Sequence, residues 1–353
     1  MIRLEDKMRK HTILLLLILC ILILCSCTNA SKMEEYTAYY DDGKYEIRYI
    51  ESTKSRNAYI IHFKGQCPET FYIPDTTPRG ARVIGIKGNA SISGALKKTK
   101  KLYLSDTLKY LGDVTLQGTA PEYLYVGDSV QEISAECFDY IDANLSVIET
   151  HNNPYYTTPL SQCLVEEESK TLLIGTNSGF IPEYIKILGR HAFYGSRISD
   201  IKIPDGVTTI EHCAFNNTSN LNSDLVLPDS VMEIGEYAFG HSSITGLRGG
   251  SYTVIPSHML SHCLSLTDFQ IPDTVKEIES FFIDTIVCGE NIPPKLSLKE
   301  LFIPASVEII HKYAMPENIT IYCEAEEQPE GWEENWANES NTIYWGQKRK
   351  DNM

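Results

Sequence analysis

The side chains of this sequence that could do chemistry are its carboxylates, imidazoles and thiols, and their spacing decides which chemistry is open to them. Asp75, Asp106, Asp128, Glu183, Asp205, Asp229 and Asp273 each follow a proline, serine or glycine that ends a short apolar run. Stacked in space they would make a cation ladder. An acidic residue after Pro or Ser is also an ordinary turn residue whose side chain bonds a nearby backbone amide, and the turn reading is the preferred one. Glu166, Glu167 and Glu168 are adjacent between two apolar runs, which describes a solvated hairpin tip better than an acid–base pair. His191, His212, His258 and His311 fall in variable stretches at what read as different offsets, so no shared column of imidazoles is expected. Glycine-rich phosphate loops, His-Glu-x-x-His, Gly-x-Ser-x-Gly and aspartate-rich calcium loops are absent. The expectation is therefore a non-enzyme with no catalytic residues, no cofactor and no metal.

The formal net charge of −16 argues against nucleic acid as a partner, because a polyanion is repelled unless a basic patch intervenes. The longest basic cluster, Lys97, Lys98, Lys100 and Lys101, is too short to supply one. Arg3, Lys7, Arg9 and Lys10 precede an apolar run from Ile13 to Leu24, too short to span a bilayer and suited to the core of a signal peptide. The run ends in Leu24-Cys25-Ser26-Cys27, which resembles the lipobox of bacterial lipoproteins. That resemblance implies cleavage after residue 26, acylation of Cys27, and a mature protein held by lipid in a bacterial cell envelope, with its body exposed at the surface. Of the remaining cysteines, Cys67, Cys137, Cys163, Cys213, Cys263, Cys288 and Cys323 are odd in number and none forms a Cys-x-x-Cys pair. They suit neither a zinc site nor a disulfide framework, and are read mostly as small buried fillers.

Self-similarity organises the rest. Ile203-Pro204-Asp205, Leu227-Pro228-Asp229, Ile271-Pro272-Asp273 and Ile303-Pro304 recur, and six residues after each proline stands an isoleucine: Ile210, Ile234, Ile278 and Ile310. Five residues further on come Phe215, Phe239, Ile283 and Met315, usually behind an alanine. Leu111 with Leu116, Ile133 with Phe138, Leu188 with Phe193, and Ile255 with Leu260 keep the same step in weaker copies. From Leu188 the anchors follow at intervals of 22, 24, 21 and 23 residues, a period that belongs to leucine-rich repeats.

Over about Phe71 to Met315 the sequence resembles the BspA-like leucine-rich-repeat family, whose motif Ile198 to Phe215 follows almost fully. The resemblance implies a mainly β solenoid with parallel sheets, irregular coils and few helices. It also implies surface binding or adhesion, without naming a ligand. The expected organisation is a signal peptide (1–26), a lipidated tether (27–35) and an N-terminal β cap (36–70). The repeat array (71–315) follows, with a hairpin-bearing enlarged coil at 139–182, and then an aromatic C-terminal cap and tail (316–353). The partners implied are an extracellular protein, peptide or glycan, and a membrane through the lipid. The alternative is an accessory or enzyme subunit acting on extracellular polymers.

Strand alternation singles out one more group. If Ile73, Leu104, Val126 and Ile181 point inward, then Tyr72, Tyr103, Tyr125 and Phe180 project outward as a candidate ligand-binding column. The same offset in later coils gives Lys202, Val226, Leu247, Gln270 and Phe302, with Asp200, Asp224, Asp268 and Glu300 two positions earlier. The expected face is aromatic toward the N-terminus and acidic toward the C-terminus. Tyrosine also suits strands and pairs well across a ladder without any ligand.

Mass spectrometry of the membrane fraction should find an acylated N-terminal peptide beginning at Cys27. A soluble, unacylated protein cut elsewhere would overturn the lipid-anchor expectation.

Overall fold

The computed structural model describes residues 32–88, 92–141, 144–285 and 295–349. The apolar run Ile13 to Leu24, Cys27 and Cys288 lie outside them. Among the described residues no helix is long and apolar enough to cross a membrane.

Most repeats contribute two very short strands to two faces of the solenoid core, while residues 180–182 and 201–204 occupy the second position without forming a strand. On the anchor-side face, Arg82–Ile86, Tyr110–Leu111 and Glu132–Ile133 pair in parallel, followed later by Ile187–Leu188, Thr209–Ile210 and Glu233–Ile234, then Val254–Ile255, Glu277–Ile278 and Ile309–Ile310. On the proline-side face, Thr70–Tyr72, Lys101–Tyr103, Tyr123–Tyr125 and Val147–Glu149 form one parallel sheet, and Asp224–Leu227, Gly246–Gly249 and Asp268–Phe269 another. Pairing is in register, so equivalent residues stack: Leu188, Ile210 and Ile234 are aligned, as are Phe71, Leu102 and Leu124. A single coil cannot bury its own apolar edge, whereas a stack converts each repeat position into a continuous internal column. Phe193, Phe215 and Phe239 form such a column, fully buried, with ring centroids 5.4 and 5.5 Å apart and planes within 5° of parallel.

Between strands the coils turn corners through residues with positive φ, two in each of the four coils that start at Leu188, Ile210, Ile234 and Ile255. Three positions past the anchor stand His191, Cys213, Tyr237, His258, Phe281 and Tyr313, with φ between 55° and 58°. Seven past it stand Gly195, Asn217, His241 and His262, with φ between 54° and 62°. Left-handed backbone costs roughly 1–2 kcal/mol for a residue with a Cβ. Here it lets the amide of each corner reach the next coil, as in His191 N–H to His212 O at 3.1 Å and His258 N–H to Phe281 O at 3.0 Å.

The N-terminal segment adds Met33–Tyr40, Tyr45–Ser52 and Asn57–Gly65 as an antiparallel meander whose last strand pairs in parallel with Arg82–Ile86. It thus covers the open end of the first coil with buried Ile47, Tyr49, Ile60 and Phe63. In the enlarged coil, Cys163–Glu166 and Thr171–Gly175 form an antiparallel hairpin, and its second strand resumes the parallel stack by pairing with Ile187–Leu188. This hairpin is a septum between two cores: Leu164 and Ile174 face the N-terminal cluster, while Val165 and Leu172 face the C-terminal one. Leu164 and Val165 split because neighbours on a strand alternate, whereas Leu172 and Ile174, two apart, split because the register shifts by one residue between the pairs Leu164–Ile174 and Val165–Leu172, leaving Leu173 as the extra residue of a bulge. At the far end Glu300–Ile303, Thr320–Cys323 and Thr342–Tyr344 continue the proline-side face in parallel. Trp332 and Trp336 close the apolar interior, 4.8 Å apart, and Trp345 packs 5.7 Å from Trp332.

The outward column needs a correction at one coil. Leu247, expected to project outward, is fully buried and aligned with Leu225 and Phe269, and Arg248 takes the outward place beside Val226. The cause is the pair Gly249-Gly250, which replaces the usual residue-proline step. Leu227 pairs with Gly249, so the strand stops one residue later than the sequence suggests. A Cβ at Gly249 would lie 2.3 Å from the Leu227 carbonyl oxygen, which restricts the position to glycine.

An inter-coil ion triad ties the last coils together: His311 Nε2 is 2.8 Å from Glu277 and Nδ1 is 3.2 Å from Glu333. The hydrogen bond with Glu277 is the largest cause holding the imidazole pKa above its usual value, against an opposing effect of burial.

Two predictions follow from this packing. Truncating Phe215 or Phe239 to alanine should cost about 3–5 kcal/mol, read as a lowered urea midpoint, because it removes a buried ring from a stacked column; unchanged midpoints for both would show that the register is wrong. The His311 pKa is raised on folding, so its contribution is present in full below the unfolded value and fades as pH rises through the folded one. His311→Gln should therefore lower Tm more at about pH 5.5 than at about pH 8.5. The effect should be small, because the His311 side chain is 35% exposed. An equal loss at both pH values would contradict the assignment.

Candidate functional site

The proline-side face brings Tyr72, Tyr103 and Tyr125 together as aligned residues on three consecutive strands. Tyr72 and Tyr103 are stacked at 4.4 Å with planes 14° apart, and Tyr103 lies 6.2 Å from Tyr125. The strip has two further members. Tyr123 shares the strand and face of Tyr125 and sits 5.1 Å from Tyr103, and His151 continues the row 5.1 Å beyond Tyr125. Tyr123 was legible in principle, since residues two apart on a strand share a face. His151 was not, because it lies in a loop past the strand end. Phe180 is not joined to this row: it stands outside any strand, partly buried against the C-terminal core beyond the septum.

The rings are not equivalent. Tyr125 donates to Asp106 at 2.8 Å and to Asp128 at 3.3 Å, and Tyr123 donates to Glu149 at 2.7 Å. Burial, then these carboxylates, push both phenol pKa values upward. Both hydroxyls are committed to neighbouring coils. Tyr72 is 62% exposed and lies on the outermost strand of its sheet, so one ring face packs on Tyr103 and the other is open.

Beside His151 the enlarged coil forms a cavity of about 570 Å³, bordered by Asn153, Tyr156, Glu167, Lys170 and Tyr184. Glu167 is held by Lys170 at 2.6 Å and by the Thr157 hydroxyl, and these contacts, Lys170 first, lower its carboxyl pKa. Glu166 accepts from Ser169. Two of the three adjacent glutamates are thus tied down within the hairpin turn.

Three members of the carboxylate column, Asp75, Asp106 and Asp128, work as brackets between coils. Asp106 accepts the Asp128 amide at 3.0 Å, Asp128 accepts the His151 and Asn152 amides at 3.1 Å each, and Asp75 accepts the Ser105 hydroxyl at 2.5 Å. Burial alone would raise the Asp128 pKa, but the two amides and Tyr125 outweigh it and leave it lowered. The amides belong to the next coil rather than to the local turn.

Farther along the same face the expected acidic character is offset. Arg248 pairs with Asp224, and Arg349 reaches back to bond the Ile271 carbonyl at 2.7 Å and Asp273 at 3.0 Å. Its guanidinium lies 5.1 Å from the centre of the Phe302 ring, which covers the outward position that Phe302 occupies. These groups, with Lys299 and Gln270, border a second cleft of about 660 Å³.

As a set the four histidines do not share one column, since His212 stands two residues past Ile210 and His311 one past Ile310, but two of them do share a position. His191 and His258 each stand three residues past an anchor, Leu188 and Ile255, and both are corner residues. With His212 alongside, they form a file of rings from Tyr140 through His191, His212, Tyr237, His258 and Phe281 to Tyr313, with successive centroids 4.6 to 6.1 Å apart. Counting from the anchors would have revealed it. His241 and His262, seven past their anchors, stack separately at 4.5 Å. Burial, then Arg190 and His191, lower the His212 pKa, and burial pushes the Cys213 thiol up to about 12. The described cysteines Cys67, Cys137, Cys163, Cys213, Cys263 and Cys323 are all buried free thiols.

Residues 186–322 match the BspA type leucine rich repeat region in six copies. No curated protein matches the chain. Among solved structures, a leucine rich cell surface protein of Faecalibacterium prausnitzii is similar with 16% identity and a TM-score of 0.42, covering 91% of this chain and 97% of that one. A leucine-rich repeat protein of Eubacterium ventriosum has 15% identity and a TM-score of 0.45, covering 84% and 97%. The pneumococcal vaccine antigen PcpA has 13% identity and a TM-score of 0.48, covering 90% and 99%. With the proline-marked strands, the anchor column and the stacked phenylalanines already pointing the same way, the chain carries a BspA-type leucine-rich repeat region across residues 186–322.

Proposed function

We propose that this protein is a recognition module of the bacterial cell envelope, lipid-anchored through Cys27. It binds an extracellular protein, peptide or glycan on the sheet face that carries Tyr72, Tyr103 and Tyr125. The observation that carries this reading is the open ring of Tyr72 at one end of a continuous aromatic row whose other end, at His151, borders a 570 Å³ cavity. Four strands at about 4.8 Å spacing make the row roughly 14 Å long, the reach of a few sugar units or about four extended residues. Exposed aromatic rows of this kind mark interaction sites, and a tyrosine ring offers an apolar face to either class of ligand. Tyr103 and Tyr125 act mainly by supporting the row, since their faces or hydroxyls are already engaged. Phe180 has the weakest claim to a part in the surface.

Binding to glycan and extracellular-protein arrays tests the proposal. Replacing Tyr72, Tyr103 and Tyr125 together with serine should abolish binding, with some loss of stability from the severed Tyr125 hydrogen bonds. Tyr72→Ser alone separates the two effects: its exposed ring should change stability by no more than about 0.5 kcal/mol while weakening binding at least about tenfold, or about 1.4 kcal/mol. Wild-type affinity in both variants would show that the tyrosines serve the sheet alone.

A further inference from the structure

We propose that His191, His212 and Cys213 form a binding site for a thiophilic divalent cation of the zinc type, clipping two adjacent coils together where the enlarged coil gives way to the regular array. One ring nitrogen of each histidine and the Cys213 sulfur all lie within 4.8 Å of one another. Two imidazoles and a thiol around a point are the donor set that zinc prefers, and the separation leaves room for an ion about 2.0–2.3 Å from each. The corner geometry builds the cluster. His191 and Cys213 are equivalent left-handed residues of successive coils, and the His191 amide bonds the His212 carbonyl at 3.1 Å, which sets the two side-chain groups side by side.

A second observation points to a ligand. The His191 side chain is fully buried, and its Nε2 has no hydrogen-bond partner. Nδ1 lies 2.7 Å from Asp139 Oδ1 without forming a hydrogen bond, so the carboxylate stands beside a buried ring whose nitrogens have no hydrogen-bond partner. A carboxylate next to the ring is a common companion of a metal-binding histidine. Arg190 sits beside the cluster, and its charge is spent on Asp139, with Nε 3.1 Å from both oxygens. Tyr140 and Tyr194 wall the imidazole at 4.7 and 5.2 Å, while the half-buried His212 gives an ion its route in from solvent. A protein with three such ligands leaves a fourth tetrahedral position for water. The competing account is a single buried water in the cavity of about 10 Å³ that His191 shares with Ser196, whose hydroxyl oxygen also has no partner.

The full chain should be titrated with zinc in competition with a chromophoric chelator, and separately with cobalt(II). The expected result is one zinc equivalent bound, a raised Tm on loading, and a cobalt spectrum with tetrahedral visible bands and a thiolate-to-cobalt charge-transfer band. Cys213→Ser should remove the charge-transfer band, and Cys213→Ser and His212→Ala should each weaken zinc at least about tenfold. His241→Ala, in the separate stack, should leave affinity unchanged. Absence of stoichiometric zinc binding, or a wild-type cobalt complex without the thiolate band, overturns the proposal whether or not the variants fold. Affinity equal to wild type in Cys213→Ser and His212→Ala would assign the metal elsewhere and overturn it equally.

Discussion

Every coil of this protein satisfies its backbone by hydrogen bonding to the next, in register, and the remaining structure depends on that constraint. Because amide and carbonyl pair between equivalent positions, whatever residue type occupies a position is placed against its own kind one coil away. Apolar positions become columns, of which Phe193, Phe215 and Phe239 are the clearest. The same rule acts on groups that would rather be apart. Asp106 and Asp128 are tolerated in file because each carboxylate accepts an amide from the following coil, and at Asp128 the hydrogen bonds outweigh the cost of partial burial.

The corners extend the rule to side chains outside the core. A left-handed residue is costly alone, but in a stack its amide gains a partner in the neighbouring coil, so the conformation can carry histidine, tyrosine and phenylalanine rather than glycine only. Aromatic and imidazole rings then stand in single file along one edge. On the proline-side face the same stacking makes the tyrosine row, so recognition surface and core arise from one geometric cause.

The enlarged coil is where the regularity is interrupted and where the unusual features collect. Its hairpin divides the apolar interior in two, its loop supplies His151 and the adjoining cavity, and its neighbour Asp139 meets Arg190 and His191 on the first regular coil after it. A strictly periodic solenoid offers similar surfaces at every coil. The insertion breaks that equivalence and gives this molecule individual sites.

The period, the anchors and the inward columns were legible in the residues themselves, because apolar spacing of 21 to 24 residues admits few other architectures. The exposure of Tyr72 followed from strand alternation for the same reason. Other features depended on coil length and on neighbours distant in the chain. The glycine pair at 249 and 250 moved a strand end by one residue and turned Leu247 inward, since without a proline nothing local marked the stop. The Tyr123 hydroxyl is occupied by a carboxylate 26 residues away and the shorter hydrogen bond of Tyr125 goes to one 19 residues away, while the cover over Phe302 comes from Arg349, whose partner Ile271 is 78 residues distant. Asp139 and Arg190 are separated by 51 residues, an interval set by the size of an inserted loop, and no repeat pattern specifies which side chains such a loop returns to face. Local periodicity determines which residues point inward; only the closed stack decides which outward residues find one another.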